Sequence, residues 1–170
     1  MKKTLLIFCL SVCAAFTACQ KEEIGGTATE ALAGEWVVQI DAVDASGQIV
    51  YEDPFDMGES MIWTYNTSAN TPDVMFIDDQ GWFWEYKCKV NCDVENLTFS
   101  ATAAEDLYHG ISVNIEGGKI TLDGAKTPSG MPADAIAFYV VFSDDDFVGT
   151  AYDKLYVHGY RYTGFAADEP

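Results

Sequence analysis

The stretch that most constrains this chain is Val74 to Val90, VMFIDDQGWFWEYKCKV, where residue character alternates with a period of two. Trp82, Trp84, Tyr86, Cys88 and Val90 share one parity, and Phe83, Glu85, Lys87 and Lys89 share the other. Successive strand side chains point to opposite faces, so this spacing gives one aromatic face and one mostly charged face. A helix cannot carry that repeat, whereas an antiparallel sheet with one buried face requires it. Asp78-Asp79-Gln80-Gly81 supplies turn residues between the two arms, and the stretch is predicted to be a β-hairpin.

Apolar and aromatic runs separated by turn chemistry continue along the chain. Trp36 to Val43 reads as a first strand, Gln48 to Tyr51 as a short second, and Ser60 to Thr67 as a third with Met61, Trp63 and Tyr65 on one face. Leu97 to Thr102 is another strand, with Ala103 to His109 as a short helical link. Ile111 to Glu116 and Lys119 to Leu122 flank Gly117-Gly118, a pair that favours a two-residue hairpin turn. Lys126-Thr127-Pro128-Ser129-Gly130 is a further turn, Ala135 to Ser143 the most hydrophobic strand, and Leu155 to Thr163 the last. No segment holds a period of 3.6 over three turns. The expectation is an all-β domain of about eight to ten strands. Short connections favour antiparallel up-and-down order, and closure into a barrel removes the exposed edges.

The N-terminus has the architecture of a secretory signal: Met1-Lys2-Lys3, an apolar run from Thr4 to Phe16, then Thr17-Ala18-Cys19. The run is shorter than the about 20 residues that cross a bilayer. Phe16-Thr17-Ala18-Cys19 resembles a bacterial lipobox, which implies that Cys19 is acylated; Phe16 stands where an aliphatic residue is usual. Cleavage at a small residue such as Ala15 or Ala18, with Cys19 incidental, is the competing reading. Gln20-Lys21-Glu22-Glu23 resembles the export signal of Bacteroidota-type lipoproteins sent to the outer face of the outer membrane, and a solvated linker is the alternative. The expected organisation is a signal peptide over 1–18, a lipidated N-terminus and tether over 19–32, and one barrel domain over 33–170. The expected location is the outer membrane at the cell surface, held through the N-terminal lipid only.

With 9 basic and 27 acidic residues the net charge is −18, and loss of Lys2 and Lys3 with the signal takes it to −20. No basic stripe offsets that field, which excludes nucleic acid as a partner and argues against lying flat on anionic lipid. After Cys9, Cys13 and Cys19, the domain retains Cys88 and Cys92. Four residues of extended strand span about 13 Å, so a bridge between them requires a turn at Val90-Asn91.

Ala33-Gly34-Glu35-Trp36, the Asp78-Asp79-Gln80-Gly81 turn followed by Trp84, Lys126-Thr127-Pro128-Ser129-Gly130, and Gly159-Tyr160-Arg161-Tyr162-Thr163-Gly164-Phe165 together resemble the lipid-binding putative hydrolase family. The resemblance implies a calycin-like, lipocalin-like barrel and a lipid ligand. Gly34-Glu35-Trp36 is similar to the Gly-x-Trp that opens lipocalin barrels, which implies that Trp36 plugs one end with Arg161 lying across it. Arg161 is the one arginine of the chain. Pairing of Arg161 with a surface carboxylate is the alternative.

The candidate ligand wall is Trp63, Tyr65, Trp82, Trp84, Tyr86, Phe138, Phe142 and His158, and the same aromatics would equally fill a solid core. No nucleophile elbow, metal motif or cofactor signature is present, so no catalytic residue, metal or cofactor is assigned. Asp78-Asp79 and Asp144-Asp145-Asp146 are read as solvated turns rather than calcium ligands. His158 shares a strand face with Tyr156, Tyr160 and Tyr162, where it either lines a cavity, acts as a general base or is a hydrogen-bonded barrel residue. The leading function is binding of a small hydrophobic ligand. An esterase-like hydrolase and a non-catalytic accessory lipoprotein are the alternatives, with no protein partner identified.

Overall fold

The computed structural model describes residues 25–168; the expected signal peptide, Cys19 and the first residues of the expected tether lie outside the described residues. A 3₁₀ turn, Glu30–Leu32, precedes nine strands: β1 (Gly34–Val43), β2 (Ile49–Glu52), β3 (Ser60–Asn66), β4 (Val74–Asp78), β5 (Lys87–Asp93), β6 (Thr98–Glu105), β7 (Ser112–Lys126), β8 (Pro132–Phe142) and β9 (Lys154–Arg161). Every pairing between them is antiparallel, and β3 to β9 follow in chain order. Closure comes from β1. One of its edges pairs with β9 from Trp36↔Arg161 to Val43↔Lys154. Its other edge pairs with β3 over Gly34–Val38 and with β2 over Asp41–Val43. Eight strands therefore form a closed up-and-down barrel, and β2 is an extra strand beside β1.

Strand alternation sets the interior. Trp36, Val38, Ile40 and Ala42 from β1 join Ile62, Met75, Ile77, Cys88, Val90, Phe99, Ile136, Phe138, Val140, Phe142, Leu155 and Val157 in one buried cluster. A barrel of about eight strands has an interior that side chains can just fill.

Two sequence expectations are corrected, and the open question of a Cys88–Cys92 bridge is answered. Gly117-Gly118 is not a hairpin turn, because β7 runs unbroken through it for 15 residues. The pairing with β8 slips between Glu116 and Lys119, which makes the glycine pair a β-bulge with Gly117 at φ +62°. The extra residue resets the parity, so Ile115 and Ile120 both reach the interior. Ala103 to His109 is not helical: β6 continues to Glu105, and a turn follows. Cys88 and Cys92 are free thiols on one continuous strand, which leaves out the turn that a bridge needs.

Candidate functional site

The second arm of the expected hairpin begins only at Lys87, and residues 79–86 form a loop instead. Asp79 is the cause. Its fully buried carboxylate accepts backbone hydrogen bonds from Gly81 (3.0 Å), Phe83 (3.1 Å), Trp84 (2.7 Å), Glu85 (2.9 Å) and Tyr86 (2.8 Å). A side-chain acceptor that satisfies these N–H groups competes with the sheet ladder. Glu85 at φ 56° breaks the extended run. The acidic turn read as solvated is thus the organising centre of the loop. Asp78 beside it is also buried and accepts from Tyr65 Oη (2.6 Å), Tyr108 Oη (2.9 Å) and the Gln80 N–H (2.9 Å), with Lys87 Nζ at 3.6 Å. Burial opposes ionisation of Asp78, but these hydrogen bonds and the Lys87 charge outweigh it and hold its carboxyl below the usual range. Asp145 is likewise buried, accepting from Tyr152 Oη at 2.6 Å and the Phe147 N–H at 3.0 Å. Among the described residues no cluster of three or more His, Cys, Asp or Glu is placed to hold a metal ion.

The loop lays aromatic rings over one end of the barrel. Trp84 stacks on Phe142 with centroids 4.7 Å apart, Tyr86 meets Phe142 edge-on at 5.0 Å, and Phe83 contacts both Tyr86 and Phe142 at 5.8 Å. Phe55, from the link between β2 and β3, packs on Trp84 at 5.6 Å, and the Trp84 indole donates to Asp144 at 3.1 Å.

Of the eight expected wall residues, Trp84, Tyr86 and Phe142 come together here, and Phe138 lies in the same core against Phe99. The other four do not join them. Trp63 and Tyr65 occupy the outer face of β3, since Ile62 takes the inner one. There Tyr65 packs on Phe76 beneath Lys87. Trp82 projects from the Asp79 loop and is 46% exposed. His158 faces outward, because Leu155 and Val157 are the buried side chains of β9. Phe83, expected to face out, packs inward, and Phe55 was not anticipated at all.

At the opposite end of the barrel Trp36 and Arg161 meet. Arg161 Cζ lies 4.3 Å from the Trp36 ring centroid, within the about 6 Å range of a cation–π contact. Its Nε also donates to Asp134 (3.0 Å) and its Nη1 to the Ala33 carbonyl (2.6 Å). The carboxylate alternative is therefore realised by the same side chain. Trp36 Nε1 donates to Thr64 Oγ1 at 2.9 Å, and that hydroxyl donates to the Leu32 carbonyl at 2.6 Å. Gly34 admits the guanidinium, since a Cβ there would sit 2.2 Å from Arg161 Nη1.

Outside the barrel, a groove of about 340 Å³ crosses β8, β9 and β1, with Ala135 and Ala137 opposite Tyr156, His158 and Tyr160. His158 Nε2 lies 3.0 Å from Asp41 Oδ2, and its ring stacks on Tyr156 at 4.8 Å. That is an oriented imidazole, yet no Ser, Thr or Cys lines the groove to serve as nucleophile.

A closed antiparallel barrel with a Trp–Arg stopper at one end and an aromatic cover at the other agrees with what the family comparison finds: the model described as lipid-binding putative hydrolase matches residues 21–166. The chain belongs to the lipid-binding putative hydrolase family. No curated protein matches it. The match covers the barrel and the residues just before it, and family membership together with the barrel fold supports lipid binding.

Proposed function

We propose that the protein is a lipoprotein anchored through acylated Cys19 and exposed on the outer membrane, whose barrel takes a small hydrophobic or lipid-like ligand. The observation that carries this reading is the aromatic cover: Phe83, Trp84 and Tyr86 sit over an apolar interior on a loop gathered by the Asp79 carboxylate and tied to the Asp79 backbone only at Trp82 and Tyr86. Such a segment can part from Phe142 without breaking the barrel ladder, and an acyl chain would replace ring contacts with contacts of the same kind. Family membership supports the ligand class, and the signal architecture with Lys21-Glu22-Glu23 supports the location.

A fluorescent fatty acid added to delipidated protein should bind saturably, be displaced by unlabelled acid and change tryptophan emission at Trp84. Absence of saturable uptake of any hydrophobic probe would defeat the binding reading. Cys19→Ala should release the protein from the membrane fraction, and protease added to intact cells should remove the wild type. The hydrolase alternative draws on the Asp41–His158 pair, and acyl esters decide it: background turnover that is equal in wild type and His158→Ala would end it.

A further inference from the structure

The groove over β8, β9 and β1 faces away from the barrel interior and is independent of the lipid reading. We propose that it is a second binding site, and that it takes a small organic cation, a primary or quaternary ammonium. Its shape comes first. Ala135 and Ala137 form a low floor, Tyr156, His158 and Tyr160 stand as the wall, and Gly124 and Ala125 form the far rim where β7 slips against β8. A second cleft of about 410 Å³ adjoins it at Gln39 and His158. The two together have the dimensions and mixed lining of a small-molecule site.

Charge selects the ligand. Glu59 lines the first cleft and Asp41, Glu52 and Asp53 the second, while no Lys or Arg lines either. Asp41 is engaged by His158 and by the Asp53 N–H, whereas no cation pairs with Glu59 among the described residues. The Tyr160 hydroxyl oxygen is buried and has no hydrogen-bond partner among them. Burial and the nearby Glu59 raise the Tyr160 pKa, so the hydroxyl keeps its proton. A ring face is electronegative, and an ammonium in the groove beside Tyr160 and Glu59 meets an aromatic ring and a carboxylate together. An anion would meet carboxylates without a counter-charge, and a purely apolar chain would cover Glu59 without partnering it. The surrounding charge also draws cations toward the groove.

Choline and 3,3-dimethylbutan-1-ol have the same shape and differ in the charged nitrogen, so they test the proposal directly. In amide NMR spectra of the mature chain at about 0.15 M salt, where distant surface charges are screened, choline should give saturable shifts at Ala135, Ala137 and Tyr156 to Tyr160, and the alcohol should give none. Glu59→Gln should weaken choline binding about fivefold, the upper size of a solvent-accessible ion pair, and leave fatty-acid binding unchanged. Equal shifts from the alcohol, shifts scattered over the acidic surface, or undiminished affinity in Glu59→Gln would overturn it. Loss of fatty-acid binding in the wild type would bear on the barrel interior alone.

Discussion

At the scale of single residues, a buried carboxylate does the work that strand pairing was expected to do. Asp79 gathers the backbone of residues 81–86, so its removal strands several N–H groups at once. Asp79→Ala is expected to cost at least about 3 kcal/mol, since each orphaned buried donor costs about 1–3 kcal/mol. Urea titration measures it, and Trp84 emission should shift red before the barrel unfolds. Asp79→Asn should cost less, because the amide oxygen still accepts. Nothing in the sequence separates this aspartate from the solvated ones of other turns. The distinction lies in what surrounds it: a carboxylate is worth burying only where enough donors converge on it, and those donors belong to residues up to seven positions away. The aromatic alternation from Trp82 to Tyr86 was legible, but its assignment to one strand face was not, because Glu85 turns to positive φ inside it.

At the scale of elements, β7 shows how a local signal can point to the wrong object. Gly-Gly between two alternating runs favours a hairpin turn, and it equally suits a bulge in a long strand. The choice is made by neighbours on both sides. Gly118 faces Phe99, and a Cβ there would lie 2.4 Å from the ring and 2.5 Å from the Phe99 carbonyl oxygen. A backbone oxygen cannot step aside as a flexible side chain can. Gly118→Ala is therefore expected to destabilise by about 2 kcal/mol, in the range of overpacked cores, with faster hydrogen exchange across the β6–β7 ladder. Gly58→Ala, at a glycine with open space around it but φ +67°, provides a comparison in which strain acts without a clash.

For the whole molecule, the termini of the barrel are fastened by carboxylates. Asp78 ties β3, β5 and the turn before β7 near the aromatic cover. At the other end Asp168 accepts from Thr163 Oγ1 (2.7 Å) and the Ser129 N–H (3.0 Å). Burial opposes ionisation of Asp168, and the hydrogen bonds from Thr163, Ser129 and Thr127 lower its pKa in spite of it. Both folded pKa values lie below the ordinary 3.8. The unfolded state then binds more protons in that window, so stability rises with pH there. Their contribution is complete above about pH 4 and is lost as pH falls through the lowered values. Relief of acidic self-repulsion on protonation acts in the opposite direction, so the informative measurement is a difference. Asp78→Asn should flatten the fall in Tm between pH 4 and pH 2, and an unchanged slope would remove Asp78 from the account.

By itself the sequence determined the all-β class, the closed up-and-down order and most strand positions. Period-two patterning and turn residues are local properties, and short connections leave few topologies open. The pairing of Trp36 with Arg161 was implied by the resemblance to lipocalin barrels, with a surface carboxylate left open, and the register Trp36↔Arg161 that brings the two together belongs to the tertiary structure. Only the tertiary structure decided which face of each strand turned inward. An alternating strand fixes two faces without naming the buried one, and a single bulge or positive-φ residue exchanges them. That is why Trp63, Tyr65 and His158 moved from the expected wall to the outer surface, and why an acidic turn became the centre of the aromatic cover.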